Sequence, residues 1–91
     1  MSIDNSNDTV LEFPCEFPIK AMGHARGNFE LTIVEIVRRH APDVAEEDFK
    51  SRYSSNGNYL SVTVIVNAQS KQQLDAIYMD LTACDKVLMA L

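Results

Sequence analysis

The stretch Ser54-Ser55-Asn56-Gly57-Asn58-Tyr59-Leu60-Ser61-Val62-Thr63-Val64-Ile65-Val66 decides how this chain folds. An Asn-Gly step between two alternating segments fits a type I′ hairpin turn, which needs φ > 0 at both central positions. With Asn56 and Gly57 as the turn, Tyr53 pairs with Leu60, Ser51 with Val62, and Phe49 with Val64. Apolar meets apolar in these pairs except at Ser51. The other face carries Lys50 opposite Thr63 and Arg52 opposite Ser61. A slip of one residue would bury Lys50 and Arg52, so the turn and the pattern agree on the register.

Upstream, Phe17, Ile19 and Ala21 alternate with Pro18, Lys20 and Met22, which predicts a strand closed by Gly23. From Asn28 the period changes. Phe29, Ile33, Ile36, Val37 and His40 share one face of a helix, with Asn28 as its N-cap. Arg38, Arg39 and His40 crowd the last turn, where the helix dipole favours cations, and Pro42 ends it. Leu31 and Val34 form a second, weaker apolar side. Beyond the hairpin, Ser70 and Gln73 match the S-x-x-Q capping box, and Leu74, Ile77, Tyr78 and Leu81 stripe a second helix. Residues 85–91 read as a last strand.

The order β-α-β-β-α-β predicts an α+β fold, a four-stranded antiparallel sheet with both right-handed crossover helices on one face. This is the ferredoxin-like βαββαβ sandwich. Residues 1–10 read as a flexible leader and 11–91 as a single domain, since 91 residues leave no room for a second core. The set expected to face the helices is Phe17, Ile19, Ala21, Phe49, Tyr53, Leu60, Val62, Val64, Val87 and Met89. The opposite parity then exposes Lys20, Met22, Lys50, Arg52, Tyr59, Ser61, Thr63, Ile65, Lys86 and Leu88.

Thirteen acidic against eight basic residues give a net charge of −5. That balance disfavours a nonspecific grip on nucleic acid or an anionic membrane. Four of the eight basic residues nevertheless fall on the predicted open sheet face. Lys20, Lys50, Arg52, Ser61, Thr63 and Lys86 are therefore the candidate docking surface, for an acidic partner or an anionic metabolite. The competing account is a solvated outer face kept from aggregating by its charges. RNA recognition on such a sheet needs stacking aromatics on the central strands, and only Tyr59 qualifies.

No apolar run approaches the roughly 20 residues of a membrane span, and the start MSIDNSNDT is unlike a secretory signal. A cytoplasmic protein is expected. Cys15 and Cys84 lack metal spacing and read as free thiols that begin strands at opposite ends of the sheet. Asp43, Glu46, Glu47 and Asp48 form a solvated run in a connection, without the EF-hand pattern. Neither metal nor cofactor is expected, and no catalytic residue stands out.

The loop Gly23-His24-Ala25-Arg26-Gly27-Asn28 leads into a helix N-terminus, and Gly23 and Arg26 are the second candidate site, for a small anionic metabolite. Acylphosphatases share this topology and carry a catalytic arginine in the corresponding loop, so Arg26 also supports a hydrolase alternative. Their fuller glycine-rich motif is missing here.

The segments LEFPCEFPIKAMG (11–23), RRHAP (38–42), SSNGNYLSVTV (54–64) and VNA (66–68), with Asp85, Val87, Met89 and Leu91, resemble the YbeD family of small bacterial proteins. The resemblance covers residues 11–91. It implies a ferredoxin-like fold similar to ACT regulatory domains, which dimerise and bind small effectors near the first strand-to-helix loop. It also implies a link to lipoate metabolism. The leading expectation is a non-enzymatic regulatory domain that docks to a partner protein and can form a homodimer. An ACT-like sensor of an anionic effector is the alternative.

Overall fold

A computed structural model describes residues 12–91, so the expected leader lies outside the described residues. The elements are β1 (Cys15–His24), α1 (Phe29–His40), a short 3₁₀ turn (Glu46–Asp48), β2 (Phe49–Tyr53), β3 (Tyr59–Ala68), α2 (Lys71–Ala83) and β4 (Met89–Ala90). The strands form one sheet in the order β2-β3-β1-β4, and every pairing is antiparallel. This is the expected ferredoxin-like arrangement.

β3 lies between β2 and β1 and sets the register of both. It pairs with β1 over ten residues, from Cys15 opposite Ala68 to His24 opposite Tyr59. On its other side Phe49 faces Val64, Ser51 faces Val62 and Tyr53 faces Leu60, as the hairpin pattern predicts. Leu60, Val62, Val64, Val66 and Ala68 are all buried, alongside Ile19 and Ala21 of β1. Phe29, Ile33, Ile36 and Val37 of α1 and Leu74, Ile77 and Leu81 of α2 complete that core. Fully burying each large aliphatic contributes about 1.5–3 kcal/mol, so the core is the main source of cohesion.

The turn keeps the predicted register by a different geometry. Gly57 has φ +78°, but no non-glycine described residue has positive φ, so Asn56 excludes type I′. Instead the Gly57 N–H donates to the Ser54 carbonyl at 2.9 Å, which places Ser55 and Asn56 at the centre of the turn. The Asn56 side chain accepts from Ser54 Oγ (2.9 Å) and from the Asn58 N–H (3.1 Å). Ser54 Oγ accepts in turn from the Tyr59 N–H at 3.1 Å. These local side-chain bonds hold Asn56 in a right-handed conformation and leave only glycine to take the left-handed one.

Two capping expectations are modified. Asn28 makes no side-chain cap bond, and its carbonyl accepts from the N–H and the hydroxyl of Thr32. Ser70 caps α2 by accepting from the Gln73 N–H at 3.1 Å. Gln73 does not close the box on Ser70. Its Oε1 accepts from the Gln69 N–H (2.7 Å) and its Nε2 donates to the His40 carbonyl (2.8 Å), which ties the end of α1 to the start of α2.

The last strand departs most from expectation. Residues 85–88 lie outside the strand: the Val87 N–H donates to the Cys84 carbonyl in a turn that follows α2, and the Leu88 N–H then donates to the Met22 carbonyl at 2.8 Å as the chain reaches the β1 edge. Only Met89 and Ala90 form β4, with Met89 opposite Met22 and Ala90 opposite Ala21. Directly opposed residues share a face, so Met89 joins Met22 on the open side rather than the helix side. It is 51% exposed. Cys84 follows α2 instead of opening a strand; both cysteines are free and half-buried. Tyr53 keeps the expected register but is 65% exposed, since it ends the edge strand where little covers it.

A polar pair fastens the helices. His40 Nε2 donates to Asp80 Oδ2 at 2.7 Å, and Arg39 Nη1 lies 3.6 Å from the same oxygen. The His40 hydrogen bond holds the Asp80 carboxyl below its usual value. Partial desolvation opposes this, and the charges of His40 and Arg39 reinforce it. A depressed carboxyl stabilises the fold above its unfolded pKa and loses that contribution as pH falls through its folded one. Parent and Asp80→Asn should therefore differ in urea midpoint at neutral pH, and the gap should narrow as pH falls below the ordinary carboxylate range, measured by circular dichroism.

Candidate functional site

Period-two alternation that buries one side of the sheet under α1 and α2 turns the other side outward. On that open face the strands place residues in cross-strand rows. One row runs Lys50, Thr63, Lys20 and then Leu91, whose backbone exchanges bonds of 2.8 and 3.0 Å with Lys20. The next row runs Arg52, Ser61, Met22 and Met89. At the end of the face His24 stacks on Tyr59, with ring centroids 5.2 Å apart and planes 29° from parallel.

Five of the six residues expected on the docking surface are thus brought together: Lys20, Lys50, Arg52, Ser61 and Thr63. Lys20, Lys50 and Arg52 are exposed and make no ion pair or side-chain hydrogen bond among the described residues. Lys50 and Lys20 flank Thr63, two strand spacings or about 10 Å apart, and Arg52 follows Lys50 two residues along β2, so neighbouring cations lie within roughly one Debye length. Met22, Met89 and Leu91 give the same face an apolar side, with Met89 and Leu91 more than half exposed. Sequence reasoning missed Met89 and Leu91 because Val87-Leu88-Met89-Ala90-Leu91 is apolar at both parities. It missed His24 by ending β1 at Gly23, although His24 has the parity of Met22.

Lys86 does not belong to this face. The turn after α2 places it outside β4, on a cleft of about 310 Å³ lined by His24, Arg26, Phe29, Asp85 and Lys86. It therefore joins the second candidate site. Gly23 is buried beside this cleft, and a Cβ there would collide with the Lys86 carbonyl oxygen and the Phe29 ring. Glycine is needed for this close approach of backbone to backbone. Gly27 supplies the loop's left-handed residue, at φ +64°.

No group of three or more metal-ligating side chains occurs among the described residues, and no described helix is long and apolar enough to cross a membrane.

Residues 8–91 match the family model DUF493, described as a protein of unknown function. The chain belongs to this family. It is 47% identical over 89 residues to a UPF0250 protein of Chromobacterium violaceum, covering 98% of this chain and all of that one. It is 41% identical to a UPF0250 protein of Neisseria gonorrhoeae over the full length of both chains. YbeD is the UPF0250 family, so the resemblance read from the sequence holds. Among solved structures, the solution structure of protein HP0495 from H. pylori superposes with a TM-score of 0.67 at 18% identity. The match covers 89% of this chain and 85% of that one and supports the fold.

Gly23→Ala should cost about 1–3 kcal/mol or more in urea unfolding, because one of the atoms in the way is a backbone oxygen that cannot swing aside. Amide shifts around Lys86 and Phe29 should move with it.

Proposed function

We propose that this domain is a non-catalytic docking module whose open sheet face receives an acidic segment of a partner protein. One observation carries the reading. Lys20, Lys50 and Arg52, none of them paired among the described residues, stand on the two adjacent rows that end in exposed Met89 and Leu91, in a chain of net charge −5. Solvation accounts for lysines on a sheet; an uncovered face with two cations at one edge, Lys20 in its middle and exposed Met89 and Leu91 at the other edge also suits a partner that is both acidic and apolar. Apolar contact would supply affinity, and the cations would select and orient an acidic partner.

The test is affinity capture from bacterial lysate by tagged parent beside Lys50→Glu/Arg52→Glu, with the captured protein purified and its binding remeasured. Loss of the partner by a folded double variant is expected. Equal binding by the variant sinks the reading.

A second reading is supported by the position of Lys86. With Arg26 and His24 it gives the cleft beside Gly23 three basic side chains against the single carboxylate of Asp85, which suits a small anionic effector of the kind ACT-like sensors bind. Titration with a panel of phosphorylated and carboxylic metabolites should then shift amides of residues 24–28 and 86. Silence across the panel removes it.

A further inference from the structure

We infer that the free edge of β2 accepts an added strand from the partner, an extended segment that alternates carboxylates with apolar side chains. This inference rests on the docking reading and specifies how the partner is held.

Among the described residues β2 pairs with β3 alone, and its other edge carries no strand. The Ser54 N–H donates to the Tyr59 carbonyl at 2.9 Å, which fixes Ser54 as a hydrogen-bonded position. Antiparallel ladders alternate, so Arg52 and Lys50 bond toward β3 while the backbone groups of Ser51 and Tyr53 point outward. The Phe49 N–H is already used, donating to the Glu46 carbonyl. Residues 50–53 are all exposed, and nothing among the described residues blocks this edge.

The side chains on either side of the edge define the occupant. Lys50 and Arg52 project on the open face, so carboxylates of an added strand would lie opposite them. Phe49, Ser51 and Tyr53 project toward α1. There one groove of about 410 Å³ is lined by Leu31, Val34 and Phe49 together with Glu30, Arg38 and Glu46. A second, of about 240 Å³, lies against Leu31, Phe29, Leu60 and Tyr53 on one side and Glu30 and the polar loop 25–28 on the other. Leu31 lines both and is 52% exposed. The alternate side chains of an added strand fall over these grooves, where apolar groups would cover Leu31. Main-chain bonds would give affinity and alternating side chains specificity, as in strand addition generally.

A second copy of this chain fits this edge poorly. Antiparallel self-pairing centred on Ser51 would set Lys50 of one copy directly opposite Arg52 of the other, and like charges so placed are destabilising. Charges of this kind guard edge strands against self-association while leaving them open to a complementary partner.

The probe is a labelled, capped peptide TVEVEVT, with TVKVKVT as control, read by fluorescence anisotropy and by amide exchange of the labelled protein. Ser51→Pro is the deciding variant. It removes an N–H that points away from β3, and edge strands tolerate proline at such positions. TVEVEVT should bind the parent and TVKVKVT should not. Ser51→Pro and Lys50→Glu/Arg52→Glu should each weaken binding by roughly tenfold or more. The Ser51 and Tyr53 amides should gain protection.

If folded Ser51→Pro binds like the parent while the charge reversal does not, strand addition is overturned and face docking stands. If the charge reversal also binds normally, both fail. Should Ser51→Pro prove unfolded, the parent's Ser51 amide decides, and no gain in its protection overturns the proposal. Absence of binding to the parent up to about 1 mM likewise overturns it, as would a homodimer joined through β2.

Discussion

The long pairing of β1 with β3 is the constraint on which the rest of the molecule depends. Ten consecutive residues of each strand are opposed, and the alternate residues of β3 from Leu60 to Ala68 are buried under the helices. That ladder fixes the parity of two strands at once. Moving either by one residue would send valines into water and Thr63, Ser61 or Lys20 into the core. The hairpin then hangs β2 on one side of the pair, and the C-terminal residues reach back to Met22 and Lys20 on the other. Both helices need only a stripe of aliphatics to cover the face so created.

The same parity that builds the core gathers the surface chemistry. Lys50 and Thr63 come from the two arms of the hairpin and Lys20 from β1, far from them in sequence, yet the register sets all three in one row. No local motif encodes that cluster; it is a by-product of alternation on neighbouring strands, exposed because both crossovers lie on the opposite face. The connection before β2 is held in a similar economical way. Arg38 donates from Nε and Nη2 to the Val44 carbonyl, at 3.1 and 2.8 Å, while its guanidinium lies 5.8 Å from the centre of the Phe49 ring. One side chain thereby braces the loop whose exit sets the start of the edge strand.

How much was legible in the sequence can be judged residue by residue. Val62, Val64, Lys50 and Arg52 were legible because the alternation is clean and a slip has an evident cost. Their faces follow without knowledge of any distant contact. Val87 to Leu91 was not legible, because apolar residues at both parities carry no sign of which side is buried. Gln73 misled for a different reason. A capping residue has several acceptors and donors within reach, and the His40 carbonyl comes into reach only when the two helices pack.

By itself the sequence determined the element order, the hairpin register, the core stripe of both helices and the face that carries Lys20, Lys50 and Arg52. These depend on local periodicity and on the solvation cost of burying charge, which are properties of short segments. Tertiary structure alone decided where the last strand begins, that Met89 and Leu91 border the basic rows, and that Lys86 leaves the sheet to stand with His24 and Arg26. Those outcomes depend on how far the turn after α2 runs before the chain meets the β1 edge. That edge exists as a template only once the sheet has formed.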